Sequence, residues 1–409
     1  MSIGWARYAF KFGEYYRNRS PSEMWFPPRL RSREWMFDGF DDRPPERHRG
    51  FRKPQDVLTH VANKTPKSCF YSTAYYRDPN QRHMKDKGLM GSDLIFDLDG
   101  DHLPGVSDGD FPGMIAVIQD QAYRLWNEFL EPEFGFKEEY LQVTFSGHRG
   151  FHLHYRAPDI WDLDSQARRE LVSHIKGESV DVSILFSPQS GTSSWQRRIV
   201  DGLPTLLSKL DVAASDSAEG RKAIKELKEI MDKRLKSPSC PIKSCGPKKL
   251  HTIAEKVQHE GRRNRLIGAL SSGEIPRVLG GTDLDMIFLN LLIGDKAIVL
   301  GTAGETDEVV TIDQKRVIRW PTSLHGKSGM KVVEFPLERL DPVGTNPFDP
   351  LTEAVPWNMG EKTTRVRALA SDLVYRIGES EGILSEGEEY LVDDATATFL
   401  VLKKWAKPV

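Results

Sequence analysis

Cysteine is scarce in this chain: three in 409 residues, at Cys69, Cys240 and Cys245. Three thiols cannot build a disulfide framework, so a reducing compartment is expected. Long apolar runs are also missing. The longest, around Met286–Ile293, is far too short to span a bilayer. Met1 to Arg19 mixes aromatic with basic residues and has no continuous apolar centre, which excludes a signal peptide. The expectation is a cytoplasmic protein without a membrane partner. Net charge is nearly absent as well, since 57 Lys and Arg stand against 59 Asp and Glu, a formal −2. That balance excludes a uniformly basic nucleic-acid coat protein, though not a local basic groove. Internal repeats and low-complexity tracts are not found. What remains is 39% hydrophobic and 28% charged, the make-up of a globular enzyme long enough for two or three domains.

The small net charge conceals segregation. Gly91 to Phe134 holds ten acids and one base, Glu219 to Ala269 fourteen bases and six acids, and the first sixty residues twelve bases and eight acids. Acids gathered around one predicted strand suggest a divalent cation, and bases elsewhere suggest an anionic partner. The plain alternative for the Glu219–Ala269 block is solvated helix faces.

Strand patterns are read at Ser92–Leu98, Tyr140–Phe145, Phe151–Tyr155, Val309–Ile312, Val317–Trp320, Met330–Phe335, Val366–Tyr375 and Glu389–Val392. Helical spacing is read at Gly113–Leu130, Asp164–Ile175 (capped by Asp164), Lys222–Leu235, Leu250–His259, Arg262–Leu270 and Ala395–Trp405, the last capped by Asp393 or Asp394. Strands on both sides of a basic helical block predict an α/β fold: a mixed sheet flanked by helices, with a mostly helical insertion. The expected division is a core in two parts, 1–205 and 271–350, an insertion at 206–270, and a C-terminal strand and helix segment at 351–409.

The chemistry concentrates in Asp93-Leu94-Ile95-Phe96-Asp97-Leu98-Asp99-Gly100-Asp101. Strand alternation sends Leu94, Phe96 and Leu98 to one face and Asp97 and Asp99 to the other. Two neighbouring carboxylates repel unless a cation lies between them, and hard divalent ions prefer oxygen ligands. Three other readings compete. Asp-Gly turns use Asp for backbone hydrogen bonds. Asp97-Leu98-Asp99-Gly100 also resembles the nucleophile motif of haloacid-dehalogenase-type phosphatases. The start of a calcium loop fits poorly, because His102 stands where Gly is needed and Asp108 where Glu is needed.

A hairpin follows in Ser146-Gly147-His148-Arg149-Gly150-Phe151-His152. Its glycines admit close backbone approach, and Arg149 can grip a phosphate through two N–H groups. Further on, Asp313 precedes a dense basic run, after which Ser323, His325 and Lys327 alternate toward Gly329. A third carboxylate and a second anion grip on one segment would suit nucleotidyl transfer.

Taken in order, Phe96-Asp97-Leu98-Asp99, Ser146-Gly147-x-Arg149-Gly150-Phe151-His152 and Asp313…Arg316-Val317-Ile318-Arg319…Ser323-Leu324-His325-Gly326-Lys327-Ser328-Gly329 resemble the catalytic small subunit of archaeal–eukaryotic DNA primases, the archaeal branch best. The likeness covers nearly the whole chain. It implies template-directed synthesis of short RNA primers on single-stranded DNA, with DNA primers left open. It also implies two Mg²⁺ or Mn²⁺ ions held by Asp97, Asp99 and Asp313. Ser146, Gly147, His148, Arg149 and His152, with Ser323, His325 and Lys327, would bind the nucleoside triphosphate, and Glu34 and Arg47 would reach the nucleotide. A large helical subunit with an iron–sulfur domain is the implied partner in a heterodimer. Two departures stand out. The family often has Arg at the position of His148, and many members carry a zinc knuckle where residues 100–145 here hold no cysteine. Cys240-x4-Cys245 with His251 and His259 is too loosely spaced to replace it, so no structural zinc is expected. The rivals are a phosphatase using Asp97 and Asp99, and a non-catalytic nucleic-acid-binding accessory subunit.

Overall fold

Alternating apolar and polar residues, and the breaks between them, set the strands of this protein. Its computed structural model describes residues 3–41, 43–100, 107–178, 180–181, 185–186, 194–294, 311–360 and 363–409. They fall into two units, one of Met1–Trp126, Phe136–Arg168 and Gly304–Val409, the other of Asn127–Gly135 and Arg169–Ala303.

The first unit is built on β1 (Trp35–Asp38), β2 (Glu46–Arg49), β3 (Ser68–Ser72), β4 (Ala74–Tyr76), β5 (Leu89–Ser92), β6 (Leu94–Asp99), β7 (Leu141–Phe145), β8 (Gly150–Tyr155), β9 (Val317–Arg319) and β10 (Val333–Phe335). One sheet has the order β2-β1-β3-β9, another β10-β7-β8-β6, and β4 pairs with β5. All these pairings are antiparallel. Helices Ile3–Arg17 and Pro54–Lys64 carry Phe12, Tyr16, Val57 and Val61 into one core with Trp35, Tyr71, Ile95, Trp320 and Leu402. Helix Phe111–Leu125 is started by Asp110, whose carboxylate accepts the Gly113 N–H at 2.9 Å. It packs on β6 and β8 through a stripe that includes Met114, Ile118, Ala122 and Leu125, of which the buried Met, Ile and Leu side chains contribute roughly 1.5–3 kcal/mol each. The tail adds β11 (Thr363–Ala368), β12 (Leu373–Ile377), β13 (Ser380–Leu384), β14 (Glu389–Asp393), helix Asp394–Leu402 and β15 (Ala406–Pro408). Asp393 caps that helix, accepting the Thr396 N–H at 2.8 Å.

The second unit, in its described residues, is helical: Ser194–Ala213, Ala218–Arg234, Pro247–Val257, Glu260–Ser271 and Thr282–Gly294. Leu206, Leu210, Leu227, Met231, Leu250, Ile253 and Phe288 fill its core. Arg234 is buried there and satisfied by Asn290 Oδ1 at 2.9 Å and the Gly177 carbonyl at 2.8 Å. The apolar stretch around Met286–Ile293 is the buried part of helix Thr282–Gly294. The helical unit extends to both sides of residues 206–270.

The α/β class is what the sequence indicated, but three strand assignments need correction. Ser92–Leu98 is two strands of different sheets, because the Asp93 side chain turns into a buried knot with Arg33, Tyr75 and Arg156. Val366–Tyr375 is likewise split, with Asp372 at φ +60° between β11 and β12. For Val309–Ile312, residues 309–310 lie outside the described residues, while Thr311 and Ile312 are helical despite their β-branched side chains. The last helix ends at Leu402, short of Trp405, where Lys404 adopts φ +61°.

Candidate active site

The register of β6 against β8 sets Asp97 opposite His152 and Asp99 opposite Gly150. Leu94, Phe96 and Leu98 are buried on one face, while Asp97 and Asp99 alternate onto the other and reach a cavity of about 200 Å³. His152 Nε2 lies 3.3 Å from Asp97 Oδ1, and Arg149 Nε donates to Asp99 Oδ1 at 3.1 Å. The two carboxyls are tuned apart. Burial pushes Asp97 upward, but His152, Arg319 and Arg316 outweigh it and hold the group below the ordinary Asp value. Burial also pushes Asp99 upward, and the negative charge of Asp97 reinforces that, so Asp99 stays above the ordinary value despite Arg149.

The opposite wall is cationic. Between β7 and β8 the chain turns at Gly147, with φ +84°. A Cβ there would stand 2.9 Å from the His325 Cβ, so both backbone shape and space call for glycine. Ser146 Oγ accepts the Gly150 N–H at 3.1 Å, and Ser328 Oγ donates to the Gly147 carbonyl, so the turn is tied to the 325–329 loop. The rings of His148 and His325 stack with centroids 4.9 Å apart and planes 11° from parallel. Burial, reinforced by surrounding cations, holds both imidazoles well below the ordinary value, so both are neutral at pH 7. The Lys327 N–H donates to His325 Nδ1 at 3.1 Å, which leaves the proton of the neutral ring on Nε2. Arg319 packs on the Phe70 ring at 4.8 Å, and its Nη1 is buried without a hydrogen-bond partner. Burial pushes the guanidinium down to about 10, against the pull of Asp97, Asp99 and Asp38. A carboxylate pair facing an under-satisfied cationic wall can hold a cation and a polyphosphate side by side.

A family model described as DNA primase small subunit matches residues 96–335, more than half of the chain. This chain belongs to the DNA primase small-subunit family. It is 33% identical to the DNA primase small subunit PriS of Methanosarcina barkeri over 88% of this chain and 86% of that protein. It is 30% identical to the PriS of Methanothrix thermoacetophila over 97% of both chains, and 32% identical to that of Halorubrum lacusprofundi over 85% and 83%. The family favours neither the phosphatase nor the accessory-subunit reading.

In this primase small subunit, Asp97, Asp99, Ser146, His148, Arg149, His152, His325 and Lys327 line the one cavity. Gly147 shapes its turn. Other expected residues lie elsewhere. Ser323 is buried and donates to the Trp320 carbonyl at 2.6 Å. Glu34 is buried and paired with Lys87 at 3.0 Å and Arg47 at 3.1 Å, forming a cluster of its own. Asp313 is outside the cavity lining, its Oδ1 accepting the Lys315 N–H at 2.9 Å. Among the described residues no three His, Cys, Asp or Glu side chains gather at metal-holding distances. Asp97 and Asp99 alone nevertheless fit a hard divalent ion: two carboxylates on one strand face whose mutual repulsion already disfavours ionising Asp99.

Sequence reasoning passed over Arg316 and Arg319 as cavity residues, although their place in the basic run, with Arg319 two positions beyond Val317 on β9, was a usable signal. It also passed over Lys403, 254 residues beyond Arg149, for which the sequence carried no signal.

Proposed function

We propose that this primase small subunit is a DNA-directed nucleotidyltransferase that builds short RNA primers on a single-stranded DNA template, taking nucleoside triphosphates. The observation that carries the reading is the single cavity in which Asp97 and Asp99 face Arg149, Arg319, His325 and Lys327. In the reaction a 3′ oxygen bonds to the α-phosphorus, the bond from that phosphorus to the bridging β oxygen breaks, pyrophosphate leaves, and the hydroxyl proton passes to solvent. Mg²⁺ or Mn²⁺, two ions in this proposal, supplies charge neutralisation and an activated hydroxyl when bound. Asp97 and Asp99 would hold it, with Asp313 as the third carboxylate of the set.

The chain's own groups do the positioning. Arg149 is held beside the carboxylates by its bond to Asp99, and Arg319 Nη1 is an unused buried donor. His325 presents Nε2–H as a neutral donor that keeps its hydrogen bond across the neutral pH range. Donors fixed before substrate arrives stabilise the charge that develops on the leaving pyrophosphate.

The proposal includes a large subunit as partner in a heterodimer and a cytoplasmic setting. No helix among the described residues is long and apolar enough to cross a membrane. The test is incorporation of labelled nucleotides on single-stranded DNA with Mg²⁺ or Mn²⁺, with and without the large subunit. Template-dependent products are expected from the wild type and lost in Asp97→Ala, Asp99→Ala and Asp313→Ala. Synthesis that survives in the first two variants would sink the proposal, and synthesis that survives in the third alone would remove Asp313 from the ligand set.

A further inference from the structure

The cavity beside the carboxylates continues past the histidine pair into a larger one of about 560 Å³. The two share His148, Arg149, Arg319, His325 and Lys327, and the larger one adds Lys67, Lys403 and Lys404. The groove therefore has a direction: Asp97 and Asp99 at one end, neutral imidazoles in the middle, and at the other end lysines with the single carboxylate of Asp38.

Lys403 sits where helix Asp394–Leu402 ends. Its Nζ is 3.1 Å from His148 Nε2, and it lies over the Phe111 and Trp405 rings, 4.8 Å from each centroid. Among the described residues no carboxylate pairs with it. Lys67, by contrast, is neutralised by Asp38 at 3.2 Å. An ammonium has three donors, and the imidazole nitrogen takes one. An ammonium held by rings and an imidazole among like charges, with donors to spare, is arranged to receive an anion.

We propose that Lys403 binds the terminal phosphate of the nucleoside triphosphate, with His148 as the positioning residue that aims its ammonium. This rests on the nucleotidyl-transfer reading, which sets the α-phosphate at Asp97 and Asp99 and so directs the β- and γ-phosphates along the groove. Lys403 then discriminates triphosphates from monophosphates, and it ties the tail of the chain to substrate.

Two measurements on the full chain test it. In the first, lysines of the wild type are labelled with an amine-reactive reagent, with Mg²⁺ present, and the rate at each site is read by mass spectrometry. Saturating ATP should protect Lys403 while AMP leaves it reactive, with exposed Lys407 as the internal control. In the second, equilibrium binding of ATP and AMP is compared across variants. Lys403→Met should weaken ATP binding about tenfold, the scale of one charge-assisted hydrogen bond, and leave AMP unchanged. Lys403→Arg should restore most of the ATP affinity. Equal labelling of Lys403 with and without ATP, or equal loss of ATP and AMP affinity in Lys403→Met, would overturn the role. If the wild type binds no ATP, the nucleotidyl-transfer reading fails with it. If it binds ATP while Lys403 stays reactive, only this inference fails.

Discussion

The two ends of the groove are built in different ways. The acidic end belongs to one strand: Asp97 and Asp99 share a face of β6, and six consecutive pairs with β8 fix where they point. The cationic end is assembled from remote segments, with Arg149 from a hairpin turn, Arg319 from β9, His325 and Lys327 from a loop and Lys403 from the tail. Sheet hydrogen bonding alone specifies the first. The second exists only once several tertiary contacts have formed, above all the fit of Gly147 against His325 and the stacked imidazoles.

Breaking the ends separately should show this difference. The largest effect is expected at the acidic end, where Asp97→Asn or Asp99→Asn should reduce nucleotide incorporation on the order of a thousandfold, several kcal/mol of transition-state stabilisation. Metal-free binding of ATP should survive in both, since the cationic wall is untouched. A filter-binding assay in EDTA checks that. Next comes the root of the strand. Asp93 accepts from Arg33 at 2.8 Å, Arg156 at 3.2 Å and the Tyr75 hydroxyl at 2.6 Å, all out of solvent or nearly so. Asp93→Asn leaves two arginines short of their counter-charge and should lower stability in urea by about 3–5 kcal/mol.

Gly147→Ala strikes the cationic end alone. A side chain at φ +84° with a 2.9 Å contact should destabilise by about 1–3 kcal/mol. It should also weaken ATP binding while Mn²⁺ binding at Asp97 and Asp99 is kept, which isothermal titration would show. The smallest effect is in pH dependence. Burial, aided by Arg149 and Lys327 and opposed by Asp99, lowers Lys403 to about 8. The charged form binds the anion, so ATP affinity should fall as pH rises through about 8, and Lys403→Arg should flatten that limb. His148 and His325 are already neutral there and add nothing to it.

Legibility in the sequence follows the same divide. Alternation exposed the carboxylate pair, and glycines at both ends of Gly147–Gly150 exposed the hairpin, because each signal lies within a few residues. The split at Asp93 was hidden, since it depends on arginines 60 residues before and 63 after. Ser323 fits the alternating pattern yet bonds to a backbone carbonyl in the core. Glu34 sits in a predicted basic region yet spends its charge on Lys87 and Arg47. Lys403 could not be read at all, because only folding brings it to His148.

The anchoring of Asp93 has one further consequence. Asp97 lies four positions beyond that fixed point, and Asp99 six. The segment therefore works as a ruler with a fixed zero. Substituting Leu94 or Phe96 by another apolar residue changes the filling and leaves the graduations alone. Inserting or deleting a single residue turns every later side chain to the opposite face, so that Leu98 would enter the groove and the carboxylates would enter the core. Variation along this stretch should thus be tolerated in residue type and refused in length.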